Sequence, residues 1–131
     1  SGLNRIEDGA DRRIGFIAGG NAYNYLRHAL HDMREDGARP LLKLGCSWPV
    51  EPDIILRFAG GVEQVVIVEE KRGFVETQVK EILRDSEQRG ASRFVPVWGK
   101  QFPNGLRGIP EDGGLTPGML TDRIGRLLLA S

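Results

Sequence analysis

Three short stretches of this chain gather residues able to hold an anion, attack an electrophile or move a proton. Ala18-Gly19-Gly20-Asn21 follows an apolar run and opens a helical pattern, so the backbone N–H groups at that helix start could face an anion. It is not a G-x-G-x-x-G fingerprint, since Asn-Ala-Tyr follows Gly20, and it lacks the Gly-Lys-Ser/Thr of a Walker A loop. Tight turning is the simpler use of Gly19 and Gly20. Lys43-Leu44-Gly45-Cys46-Ser47-Trp48-Pro49 offers a thiol, but a nucleophilic thiolate needs a base partner and a lowered pKa. The sequence supplies no such setting, and Cys46 reads as a structural or incidental thiol. Val68-Glu69-Glu70-Lys71-Arg72-Gly73 pairs two carboxylates with two cations. Paired carboxylates can do acid–base work, yet neighbours on an extended segment point to opposite faces. Glu69 and Glu70 are therefore expected not to share a pocket. One would meet a neighbouring domain or cap the next helix, and the other would be solvated.

The elements that must position these loops follow from periodicity. Ile14–Ala18 and Val65–Val68 are short apolar runs of the kind buried on both faces of a parallel sheet, and Leu41–Leu44 is a third. Phe94–Trp98 reads as a fourth strand, with Pro96 favouring an edge position. Residues 22 to about 35 carry an inward helical stripe of Ala22, Tyr25, Leu26, Ala29, Leu30 and Met33, with Asn21 as N-cap and Gly37 as stop. Pro52 opens a helix over 53–59 that Gly60-Gly61 ends. Phe74 to about Arg89 is amphipathic, with Phe74, Val75, Val79, Ile82 and Leu83 on one side. Thr116-Pro117 caps a last helix to about Leu129. Strands alternating with helices imply crossover connections and a three-layer α/β/α domain on a mainly parallel sheet. Ligands of such sheets gather at the strand carboxyl ends, where all three loops lie. Residues 1–12 read as a polar linker, leaving 13–131 as the domain.

Composition narrows the function. Eighteen Lys+Arg balance eighteen Asp+Glu for zero formal charge, which steers the chain toward neither nucleic acid nor an anionic membrane. A single cysteine excludes an intrachain disulfide and cannot furnish the several thiolates of an iron–sulfur or structural zinc site. His28 and His31, without a third ligand, read as surface or interface residues. No signal peptide or membrane-length apolar run is present, so the chain is cytoplasmic in character. It begins Ser1-Gly2 rather than Met, which suggests processing or excision from something longer.

The three loops also carry a family resemblance. The run from Arg13 to Arg27 (RIGFIAGGNAYNYLR), Leu42 to Val50 (LKLGCSWPV) and Val65 to Val79 (VVIVEEKRGFVETQV) resembles, in order, the transketolase-C-terminal-like domain of indolepyruvate:ferredoxin oxidoreductases, over about residues 12–98. The resemblance implies a five-stranded mixed sheet, and the fifth strand is expected between residues 99 and 115. It also implies a parent enzyme that oxidatively decarboxylates arylpyruvates, passes the acyl group to coenzyme A and reduces ferredoxin. Thiamine diphosphate, magnesium and [4Fe–4S] clusters would sit on other domains, since this chain lacks both the Gly-Asp-Gly…Asn pattern and the cysteine clusters. On this reading the isolated chain binds no cofactor and is inactive. Gly19, Gly20, Asn21, Trp48, Pro49, Glu69, Glu70, Lys71 and Arg72 would contact other domains or a second copy of the chain. Trp48 and Trp98 suit interface anchors, and the loop with Asn104, Arg107 and Asp112 suits inter-domain contact. A second reading, from another class, is a free-standing anion- or nucleotide-binding module using the Gly19–Asn21 turn.

Overall fold

The computed structural model describes residues 3–70, 73–111 and 114–131. In chain order the elements are β1 (Arg5–Glu7), β2 (Ile14–Gly19), α1 (Gly20–Asp32), β3 (Leu41–Leu44), α2 (Pro52–Gly60), β4 (Gln64–Val68), α3 (Phe74–Gln88), β5 (Val97–Trp98) and α4 (Pro117–Leu129). They form one five-stranded sheet in the order β1-β3-β2-β4-β5. Strands β3, β2, β4 and β5 are mutually parallel, and β1 runs antiparallel along β3.

The central strands are apolar throughout because both of their faces are covered. Phe16, Ala18, Val66 and Val68 point into a core closed by α1 and α4. The alternate residues Ile17, Val65 and Ile67 point into a second core closed by α2 and α3. Right-handed crossovers account for this division. The chain leaves β2 toward β3 through α1 on one face. It then steps back across β2 to β4, and on to β5, through α2 and α3 on the other.

Several local expectations shift. The fifth strand is β1, inside the stretch read as a linker, rather than a segment of 99–115. Among its described residues that loop holds only an isolated bridge between Gln101 and Arg107 and one short 3₁₀ turn. β1 has no apolar run to announce it; it forms because β3 has an open edge, and Ile6 pairs opposite Leu42. A polar hub then fastens it to α1. The Tyr23 hydroxyl donates to Glu7 Oε2 and accepts from Arg5 (3.2 Å) and Arg27 (3.0 Å), while Lys43 Nζ lies 4.7 Å from the Tyr23 ring centre.

Helix α1 starts at Gly20, so Asn21 already lies in its first turn and is not the N-cap; Gly19 is, without a side-chain bond. Its end comes before Gly37, because Arg34 turns the chain at φ 59° and closes onto His31 O. Tyr23, not Tyr25, completes its buried stripe. Of Phe94–Trp98 only Val97–Trp98 pairs as strand, on the sheet edge. Thr116 caps α4 as expected, accepting from Met119 N at 3.1 Å. Among the described residues, no helix is long and apolar enough to cross a membrane.

Candidate functional site

The carboxyl ends of β2, β3 and β4 bound a cleft of about 370 Å³. All three sequence-predicted loops contribute to it: Gly19 and Gly20 from the first, Gly45 to Ser47 from the second, and Glu69 and Glu70 from the third. Gly19 permits a close approach of strands, since a Cβ there would lie 2.9 Å from Leu44 O, and Gly20 takes φ +57°. Gly45 is tighter still. A Cβ at that position would fall 2.1 Å from Leu3 Cβ, and its N–H is held by Asn4 Oδ1 at 2.8 Å.

Asn21, Trp48 and Pro49 are exposed and do not line the cleft. Trp48, next to the lining residue Ser47, is 69% exposed, and the peptide bond to Pro49 is cis. Lys71 and Arg72 lie outside the described residues, as does Asp112 of the later loop. Phe74, expected on the inward stripe of α3, is instead 63% exposed and borders the cleft, because at the first helical position no preceding turn covers it. Trp98 is half-buried and donates its indole N–H to Gln64 Oε1 at 2.8 Å, a structural bond rather than a free anchor.

Both carboxylates border the same cleft, against the expectation that they would not share a pocket, although their roles differ. The strand ends at Val68, so its alternation does not extend to them. Glu69 reaches forward and accepts from Val75 N (3.0 Å) and Glu76 N (3.1 Å). It thereby satisfies two of the unpaired N–H groups of α3, whose N-cap Gly73 offers no side chain. Burial raises its carboxyl pKa and outweighs the two backbone donors and Lys100, which lower it; the nearby Glu76 adds to the rise. Glu70 is exposed.

Two residues that periodicity did not single out shape the site. Gln78 ties the β3–α2 loop to α3: its Oε1 accepts from Val50 N (2.8 Å), and its Nε2 donates to Ser47 O (2.7 Å) and Phe74 O (3.1 Å). That bracket sets the backbones beneath Trp48 and Phe74 side by side. Glu76 is buried, accepts from Lys100 N at 3.0 Å and pairs with Lys80 at 2.7 Å, which fixes the start of the 99–115 loop.

The Cys46 thiol donates to Trp48 O at 2.9 Å. His28 and His31 sit in the last turns of α1, away from the cleft, paired with Asp32 (3.4 Å) and Asp36 (2.7 Å). Among the described residues, no group of three or more His, Cys, Asp or Glu side chains could hold a metal ion. One cysteine does not fit a [4Fe–4S] cluster, which takes four thiolates. Two carboxylates beside the uncapped start of α1 also do not favour an anion there, and the free-standing nucleotide-binding reading loses its support.

Residues 4–131 match the family model described as the indolepyruvate oxidoreductase domain. The chain is 37% identical over 100 residues to indolepyruvate oxidoreductase subunit IorA of Thermococcus kodakarensis, covering 76% of this chain and 14% of that protein. It is 41% identical over 80 residues to the same subunit of Pyrococcus horikoshii, covering 61% and 12%. The chain thus spans only about one eighth of the length of these relatives. Among solved structures, a split-gene transketolase in an inactive β4 tetramer superposes at TM-score 0.60 and 18% identity, covering 95% of this chain and 41% of that one. The 2-oxoglutarate:ferredoxin oxidoreductase of Magnetococcus marinus, solved with 2-oxoglutarate, coenzyme A and succinyl-CoA, superposes at 0.50 and 17%, covering 95% and 19%. At those identities the two structures speak for the fold: the transketolase-C-terminal-like sheet with one antiparallel edge. With nearly its whole length matched, the chain belongs to the indolepyruvate oxidoreductase domain family.

Proposed function

We propose that this chain is the transketolase-C-terminal-like module of a thiamine-diphosphate-dependent indolepyruvate:ferredoxin oxidoreductase, and that its task is to pack the catalytic domains together. The parent enzyme would decarboxylate an arylpyruvate oxidatively in the cytoplasm, form the acyl-CoA and reduce ferredoxin. Its thiamine diphosphate, magnesium and iron–sulfur clusters would be held elsewhere, because the side chains present do not fit them. What this chain supplies is a rigid rim.

The observation that carries the reading is the exposure of Trp48 and Phe74, 69% and 63%, on two segments that Gln78 ties together beside the carboxyl-end cleft. Large aromatics held out on a braced scaffold suit burial against another domain. Glu69 and Gln78 keep that rim in place. The Gly19–Gly20 turn leaves room for an approaching backbone, and Glu70 supplies a charge at the edge of the contact.

An immunoblot on cells that make the protein, using an antibody raised against this domain, tests the reading. A band far larger than the 14.5 kDa of the chain is expected. A band at the chain's own size would overturn the proposal.

A further inference from the structure

Past the carboxyl end of β5, residues 100–111 and Arg123 of α4 enclose a second cavity of about 540 Å³. It lies at the end of the parallel sheet where ligands gather, yet shares no lining residue with the first cleft. Its walls are built. Ile109 N donates to Gly99 O at 2.7 Å and Phe102 N to Leu106 O at 3.2 Å. The two arms of the loop run so close that a Cβ on Gly108 would lie 2.3 Å from Gly99 O. Phe102 and Ile109 root the loop in the core with Leu120 and Ile124 of α4.

Three cations line this cavity, Lys100, Arg107 and Arg123, against Glu111 as the one carboxylate in the described lining. Arg123 is mostly buried, its side chain 19% exposed, and Gly108 O takes one of its five N–H groups at 2.8 Å, which fixes the guanidinium in place. Asp122 approaches Arg123 Nε only at 3.7 Å, and its other oxygen is held by Arg126 at 3.0 Å. Arg107 is exposed and forms no ion pair among the described residues. Lys100 braces the loop through Pro110 O at 3.4 Å. Clustered cations on a braced wall repel one another until an anion enters. A planar carboxylate is satisfied by one guanidinium fork, whereas a tetrahedral phosphate has oxygens for two forks that come from different elements. A phosphate monoester also carries about −1.5 to −2 charge at pH 7, and Phe102 and Leu106 offer an apolar wall to its organic part. We propose that this cavity binds a small phosphate ester, with Arg123 as the fixed ligand and Arg107 closing on it from the solvent side. The inference does not depend on what covers the carboxyl-end cleft.

Phenyl phosphate, titrated at constant ionic strength into the isotope-labelled 131-residue chain, should give saturable amide shifts confined to residues 99–111 and the first two turns of α4. Inorganic phosphate should bind the same place more weakly, and benzoate at least about tenfold more weakly than phenyl phosphate. Arg107→Gln, at an exposed position, should weaken phenyl phosphate about tenfold or more with an unchanged melting temperature, and Arg107→Lys should recover part of the loss. Absence of saturable shifts, or shifts that fall elsewhere in the chain, would overturn the proposal. So would full affinity in Arg107→Gln, and benzoate binding as tightly as phenyl phosphate would overturn the assignment to a phosphate.

Discussion

Replacing Phe74 by Ala should leave the isolated domain nearly unchanged and weaken its seating in the whole enzyme. A phenylalanine has roughly 200 Å² to bury, and 63% of Phe74 is exposed in the chain alone. About 125 Å² is thus left for a neighbour to cover. At about 25 cal/mol per Å², covering it is worth about 3 kcal/mol, or roughly a hundredfold in a docking equilibrium. The isolated chain has little to lose. The side chain has few contacts, Ala suits a first helical turn, and the Phe74 carbonyl keeps its bond to Gln78, so the change should stay within about 0.5 kcal/mol. Thermal unfolding of the 131-residue chain measures the first quantity. Amide hydrogen exchange at the first turn of α3 and in residues 45–50 of the intact enzyme measures the second, and should rise by up to about a hundredfold. Unchanged exchange in the intact enzyme would refute the interface argument. A loss above about 2 kcal/mol in the isolated chain would refute it differently, by making Phe74 a core residue.

The braces can be tested separately. Glu69→Ala removes the acceptor of two α3 N–H groups and should cost about 1–3 kcal/mol in urea unfolding. Glu69→Gln tests the titration. Because burial holds the folded-state pKa above the ordinary 4.5, the group's contribution is fully present below that value and is lost as pH rises through the folded-state pKa. The wild type's lead over Glu69→Gln should therefore shrink between pH 4 and pH 7, and a widening lead would contradict the burial argument. Tyr23→Phe deletes the hydroxyl shared by Glu7, Arg5 and Arg27; it should cost about 1–2 kcal/mol and speed amide exchange in β1 before any other strand. Gly99→Ala would place a Cβ 2.1 Å from Glu76 Oε1, which is buried and engaged with Lys100 N, and should cost about 1–3 kcal/mol in thermal unfolding.

Much of this architecture was legible because buried parallel strands write continuous apolar runs: VVIV in β4 and IGFIA in β2 need no tertiary information to stand out. Thr116-Pro117 likewise announced α4 through local capping chemistry. β1 was not legible. Arg5 and Glu7 are polar, and what makes Arg5–Glu7 a strand is pairing with residues nearly forty positions away. The cleft's three loops followed from the rule that strand carboxyl ends gather sites. The braces did not. Glu69 caps α3 from five residues before its first helical residue, outside any local capping pattern, and Gln78 looks like an ordinary polar helix residue until the fold brings Val50 and Ser47 to it. Phe74 misled because the helical stripe rule assumes a preceding turn for the side chain to lie on.

The crowding at Gly45 constrains how this domain can change over evolutionary time. Trimming Leu3 does not open the position, since the same Cβ would still lie 3.0 Å from the Leu3 backbone carbonyl carbon. No single substitution at position 45 and no compensating one at position 3 suffices alone. A lineage could acquire a side chain there only after the N-terminal segment had been re-routed off β3. Glycine at 45 and the path of residues 3–7 should thus be inherited or lost as one character, in an order that cannot be reversed.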